Sequence, residues 1–177
     1  MTTTDRPTAP GAGSRIAAAL AAGNDGAIAS SVPSVQNELV LFAIRGRAFA
    51  VAVAGVSEIL RPSEVTPLPR LPRYILGVVN RSGRVTPVLD LAMYIGFESE
   101  LAPRRMVVLA DGELEAAVPI TAIHSIATVD AAAIQASFAE VKERQPFVVG
   151  QIERGEVVYS VLDVGRLLRL SSCGREG

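Results

Sequence analysis

YILGVVNRSGRVTPVLDL, residues 74 to 91, returns later in the chain as FVVGQIERGEVVYSVLDV, residues 147 to 164, and the two align without a gap. Gly77 falls on Gly150, and Val88, Leu89 and Asp90 fall on Val161, Leu162 and Asp163. The first copy reads as a hairpin, Tyr74 to Asn80 and Arg84 to Leu89 around Ser82-Gly83, because short apolar runs flank a glycine-bearing turn. Pro87 lacks an N–H and predicts an edge or a bulge in that hairpin. Upstream, LVLFAIRGRAFAVAV from Leu39 matches MVVLADGELEAAVPI from Met106 more loosely, turning at Gly46 and at Asp111-Gly112. Val56 to Leu60 continues the first of these hairpins. RPSEVTPLPRLPR, with Pro62, Pro67, Pro69 and Pro72, predicts an extended surface loop, since proline cannot join an interior ladder. Each repeat ends in a short helical pattern, Leu91 to Ile95 and Val164 to Leu170.

The repeat therefore predicts an all-β fold with short helices, built from two similar units of roughly 65 to 70 residues. A unit of that size is too short for a broad sheet but curls into a small barrel, which removes exposed edges. The first unit spans about residues 38–100 and the second about 104–170, with strand exchange between them allowed, and residues 171–177 form a short C-terminal tail. Residues 1–37 are small, polar or alanine-rich and broken by prolines and glycines, which predicts a flexible tail. Its apolar run, Ile16 to Ala22, is far short of the roughly 20 residues of a membrane span. Threonines and Asp5 follow Met1 where a signal peptide needs a basic region.

The chain has 177 residues, 49% of them apolar, with 17 basic and 18 acidic side chains. A net charge of −1 removes the whole-chain electrostatic case for a nucleic-acid binder. Cys173 is the single cysteine, so no intramolecular disulfide and no cysteine-rich zinc site forms, and a reducing cytoplasm is the expected compartment.

Catalytic chemistry is nearly absent from the text. His124, in ITAIHSIATV, has no G-x-S-x-G beside it and reads as a structural or surface histidine. Cys173, in the terminal SSCGREG, reads as an exposed thiol. No phosphate-binding glycine motif occurs, and no cofactor is expected. Asp111, Glu113 and Glu115 alternate, which places them on one solvated strand face rather than around a metal. Asp90 and Asp163 each precede a helical turn and are expected to cap it. Between Glu58 and Arg84, five arginines (Arg61, Arg70, Arg73, Arg81, Arg84) face only Glu58 and Glu64. A lone aromatic, Tyr74, supports base stacking poorly, so a solvated face or a protein-binding face fits better than a nucleic-acid groove.

VSEILRPSEVTPLPRLPRYILGVVNRSGRVTPVLDL resembles the first half of CheW-like domains, whose pattern is V-x-E-I, a proline-bearing loop, then G-V-x-N-L-R-G-x-V-x-P-V-x-D-L. Val56, Glu58, Ile59, Gly77, Val78, Asn80, Gly83, Val85, Pro87, Asp90 and Leu91 match it. The resemblance implies two five-stranded SH3-like barrels and a non-enzymatic adaptor, cytoplasmic and recruited to membrane-associated chemoreceptor arrays. Such an adaptor joins the cytoplasmic tips of methyl-accepting chemoreceptors to the regulatory domain of a CheA-type histidine kinase. It implies no nucleic-acid partner and no direct membrane insertion. Carried over, Val56, Glu58, Gly77, Asn80, Arg81, Ser82 and Gly83 are the candidate contacts with receptor or kinase. One departure stands inside the motif: Arg81 and Ser82 occupy the positions of the family's leucine and arginine. A regulator that binds the kinase without receptor coupling, in a pathway for pili, biofilm or development, is the alternative. A small β-barrel nucleic-acid binder is the reading from another class, supported only by the arginines from Arg61 to Arg84.

Overall fold

The computed structural model describes residues 36–97 and 104–172. In chain order the elements are β1 (Gln36–Ile44), β2 (Arg47–Ala52), β3 (Val56–Leu60), β4 (Ile75–Arg81), β5 (Arg84–Leu89) and α1 (Leu91–Tyr94). The second repeat supplies β6 (Arg105–Asp111), β7 (Leu114–Ile120), β8 (Ala122–Asp130), β9 (Gln135–Ala136), α2 (Ala139–Arg144), β10 (Val148–Arg154), β11 (Val157–Leu162) and α3 (Val164–Ser172). β1 begins at Gln36, which pairs with Asp130, so strand structure starts two residues ahead of the Glu38 read from the sequence. The rest of the 1–37 segment, and Cys173 with the terminal residues, lie outside the described residues.

The repeat is real down to its irregularities. β4–β5 and β10–β11 carry the same register, Ile75 against Leu89 and Val148 against Leu162, and each is bulged before its glycine, Gly77 or Gly150. Asp90 Oδ1 accepts the N–H of Met93 at 3.0 Å and Asp163 Oδ1 that of Arg166 at 2.9 Å, which caps α1 and α3. Each such cap stabilises by about 1 kcal/mol.

The strands do not stay with their own repeat. One sheet runs β8-β1-β2-β11-β10-β9 and the other β3-β6-β7-β5-β4. Thus the hairpin β1–β2 joins the strands of the second repeat, and β6–β7 joins β3, β4 and β5. This corrects the expectation that Val56 to Leu60 continues the first hairpin. A 3-10 turn, Val53–Gly55, carries the chain out of β2, and Val56 pairs with Leu109 of β6 in the other sheet. Each sheet curls as an SH3-like unit, but among the described residues no ladder joins its edge strands, so both barrels stay open.

β1 and β6 are the hubs. Alternate residues of β1 point to opposite faces: Val40, Phe42 and Ile44 enter a core shared with Val107 and Leu109 of β6, while Leu39 and Leu41 line a second core within the six-stranded sheet. β6 is built the same way, with Met106 and Val108 in a third core beside Val79 and Val88. Burial on both faces explains why these strands read as continuous apolar runs rather than as alternations.

Pro87 is neither at an edge nor in a bulge. β5 lies between β7 and β4, and Pro87 stands opposite Val78. Val78 exchanges both its backbone hydrogen bonds with Thr66, at 2.8 and 2.9 Å, so Val78 and Pro87 form a non-hydrogen-bonded pair. The missing donor therefore falls on the β7 side, where a single registered pair, Val88 with Ala117, joins the two parallel strands. Ser160, at the position equivalent to Pro87, pairs with Phe49, and there the parallel ladder has three registered pairs.

Candidate functional site

β3 and β4 are the two outer strands of the five-stranded sheet, and the candidate residues lie along the seam between them. Val56 is half-buried and packs against the shared core, whereas Glu58 and Ile59 are exposed on the β3 edge. A bulge at Ser57, between the pairs Val56–Leu109 and Glu58–Val108, distorts that edge.

Arg81, the last residue of β4, reaches across the seam. Its Nη1 donates to Glu58 Oε2 at 2.9 Å and its Nη2 to Glu115 Oε1 of β7. Arg84 Nε stands 3.7 Å from the other oxygen of Glu115. The Arg81 side chain is 12% exposed and that of Glu58 is 48% exposed, so the cluster is buried at its arginine and open at its glutamate. Burial works against the charge on Arg81, but the hydrogen bonds and charges of Glu115 and Glu58 outweigh it and hold the guanidinium above its usual value.

The Asn80 turn is self-supporting. Asn80 Oδ1 accepts the N–H of Gly83 at 2.9 Å, and Ser82 and Gly83 have φ of 51° and 87°, the pair of positive values that a two-residue type I′ hairpin requires. Ser82 is exposed at the tip. The arginine of this hairpin therefore serves the seam, and the position that holds arginine in the family's pattern carries a small hydroxyl facing solvent.

Gly77 is separate from these. It is buried, with φ of 140°, and a Cβ built there would collide with the carbonyl of Thr66 and the backbone of Pro67. Its neighbour is thus the chain's own proline loop, bridged to β4 at Thr66 and Val78. Beneath that loop lies a groove of about 300 Å³, lined by Leu68, Leu71, Ile75, Gly77 and Leu89 and, at its far side, by Leu114 and Leu168. Leu68 and Leu71 are exposed at its rim.

Glu115 is the member of the cluster that sequence reasoning missed. Asp111, Glu113 and Glu115 do not share a strand face: Asp111 ends β6, Glu113 lies in the turn and Glu115 lies in β7. Asp111 accepts from Arg169 of α3 at 2.8 Å, and Glu115 accepts from Arg81. Among the described residues no group of three metal-ligating side chains occurs. His124 lies in a bulge of β8, exposed, with Nδ1 2.7 Å from the hydroxyl of Tyr159. Of the five arginines between Glu58 and Arg84, only Arg81 is drawn inside, while Arg61, Arg70 and Arg73 are exposed on or beside the proline loop.

An open, exchanged pair of curled sheets with this hairpin and edge strand matches one family model, the CheW-like domain, over residues 38–172. The chain belongs to the CheW-like domain family. The chemotaxis protein CheW of Bacillus subtilis is 25% identical over 134 residues, 74% of this chain and 86% of that protein. The chemotaxis protein CheW of Rhizobium meliloti is 34% identical over 74 residues, 41% of this chain and 48% of that protein, so that match spans about half the relative's length. The crystal structure of the scaffolding protein TtCheW from Thermoanaerobacter tengcongensis superposes with a TM-score of 0.67 at 19% identity, covering 73% of this chain and 90% of that one. That likeness places the CheW-like fold on the same footing as the family match. Among the described residues no helix is long and apolar enough to cross a membrane.

Proposed function

We propose that this CheW-like domain is a non-enzymatic scaffold adaptor in a chemosensory pathway, coupling the cytoplasmic tips of chemoreceptors to the regulatory domain of a CheA-type histidine kinase. The observation that carries the reading is the β3 edge: an exposed strand presenting Glu58 and Ile59, with the glutamate oriented by a buried arginine rather than left to solvent. A charged group held in one geometry loses less side-chain entropy when a partner engages it. The protein works at the cytoplasmic face of membrane-associated arrays.

Calorimetry with the kinase's regulatory domain and pull-down with receptor tips test this. Binding to the kinase with modest salt dependence is expected, because a net charge of −1 offers little long-range steering. Glu58→Lys is expected to weaken receptor association at least tenfold with unchanged circular dichroism. Absence of kinase binding by the folded protein sinks the adaptor reading.

The departure at the hairpin supports a second reading, a regulator that engages the kinase without the receptor. Arg81 is committed to Glu58 and Glu115, and Ser82 offers a receptor no cation. Ser82→Arg discriminates: stronger capture of a typical receptor tip favours the adaptor, and no change favours the regulator.

A further inference from the structure

The β1–β2 hairpin carries two arginines that the proposed adaptor site does not use. Arg45 is half-buried at the turn, with its backbone N–H donated to Thr121 Oγ1 at 3.0 Å and φ of 54°. One of its guanidinium nitrogens, Nη2, is buried with no hydrogen-bond partner. Arg47, two residues on, lays its guanidinium 3.6 Å from the centre of the Phe97 ring. Both arginines line a cavity of about 250 Å³ walled by Ile44, Phe49, Ile95 and Phe97. Among the described residues no carboxylate forms an ion pair with either of them, whereas the arginines of the β3–β4 seam and of α3 are so paired.

The cavity continues along the six-stranded sheet. A shallower trough of about 420 Å³ shares Arg47, Phe49 and Ile95 with it, passes Gln151 and the carboxylate of Glu156, and runs out over the exposed Val157 and Val158 of β11. A buried guanidinium donor without an acceptor, beside a second guanidinium seated over an aromatic ring, suits a planar acceptor with two oxygens. Apolar walls strengthen that attraction by excluding water.

We propose that this pocket receives an aspartate or glutamate side chain of a partner protein, with apolar neighbours of that residue lying along Val157 and Val158. The carboxylate takes hydrogen bonds from Arg45 and Arg47, a turn of the Arg45 guanidinium bringing its buried Nη2 to the incoming acceptor. The proposal is independent of the β3 edge, which lies in the other sheet.

The test uses the full chain and a blocked tripeptide with glutamate between two valines as probe. Side-chain Nε–H resonances of Arg45 and Arg47 are followed by NMR during titration. Saturable shifts of both are expected, with Arg45→Gln and Arg47→Gln each weakening binding at least fivefold and Arg154→Gln, at an exposed hairpin end, leaving it unchanged. Circular dichroism checks that the variants fold. Equal binding by the glutamine tripeptide would overturn the carboxylate reading, as would equal displacement by inorganic phosphate, which marks a general anion site. Concentration-dependent dimerisation in gel filtration, abolished by Arg45→Gln, would replace the foreign partner with a second copy of this chain. Absence of saturable shifts in a folded sample removes the site altogether.

Discussion

The seams of the two sheets occupy equivalent places in the repeat and are bridged by different chemistry. The register of β3 on β6 matches that of β8 on β1, so Ser57 and Glu58 stand where His124 and Ser125 stand in the other sheet, each edge bulged at the same point. Thr86 and Arg81 likewise answer to Tyr159 and Arg154. In the five-stranded sheet an arginine spans from β4 to Glu58 and Glu115. In the six-stranded sheet the bridge is a hydrogen bond between His124 Nδ1 and the Tyr159 hydroxyl. Thr86 is too short to make the equivalent contact, and its hydroxyl is buried without a partner. The repeat thus preserves backbone pairing, bulges and caps, while the polar groups over the seams are free to diverge. Divergence is what places a charged, half-exposed glutamate on one edge only.

The largest expected effect comes from breaking the packing under the proline loop. Gly77→Asp inserts a side chain into the Thr66 backbone at φ of 140°, and a loss of about 3 kcal/mol or more in urea unfolding is expected. Gly150, its counterpart, meets Ile134 and Gln135 but does not have a positive φ, so Gly150→Ala is expected to cost less. Gly77→Ala is likewise expected to cost more than Gly150→Ala, and equal losses for the two alanine variants would mean that the positive φ at Gly77 adds nothing.

Next is the charged seam. Arg81→Leu leaves Glu115, whose side chain is 16% exposed, without its principal partner, and about 1 to 2 kcal/mol is expected once partial solvation is allowed for. Arg154→Leu, exposed in the other sheet, is expected to change stability by less than about 0.5 kcal/mol. Because the folded-state value of Arg81 is raised, the contribution of its charge is complete below the unfolded value and is lost only as pH rises through the folded one. The parent-minus-variant difference should therefore show no alkaline fall between about pH 6 and about pH 9, and such a fall in chemical denaturation would break the assignment.

A smaller, opposite pair sharpens the comparison of the buried hydroxyls. Thr86→Val removes an unsatisfied oxygen at nearly constant volume and is expected to stabilise by up to about 1 kcal/mol, whereas Tyr159→Phe removes a made hydrogen bond and costs about 1 kcal/mol. Melting curves showing a loss in both would mean that Thr86 has a partner.

The smallest effect concerns the parallel ladders. Pro87→Ser restores a donor toward β7 and is expected to change stability by only a few tenths of a kcal/mol while slowing hydrogen exchange of the new amide at position 87. Fast exchange there would show that the short ladder has another cause.

Much of this was legible in the text. The hairpin at Ser82-Gly83, the aspartate caps and the helices after them are local: turn residues, alternation and a carboxylate before a helix act over three or four residues. The candidate edge was legible only through the family's pattern, since Glu58 is an ordinary exposed strand residue until Arg81 is seen beside it. Glu115 was hidden because strand alternation was read through a turn, which put a β7 residue on a face with Asp111 of β6.

By itself the sequence determined an all-β chain of two similar units, because apolar alternation, glycine turns and an ungapped repeat are written in neighbouring residues. Only the tertiary structure decided which hairpin joins which sheet. β1 and β6 are both apolar on both faces and would bury equally well in either unit, so no local signal separates them, and the choice falls to the 3-10 turn that carries Val56 onto Leu109. The same crossing puts Glu58 and Glu115, from opposite repeats, within reach of one arginine. Sites assembled from strands distant in the chain depend on pairing partners, and pairing is a property of the folded sheet rather than of any single stretch.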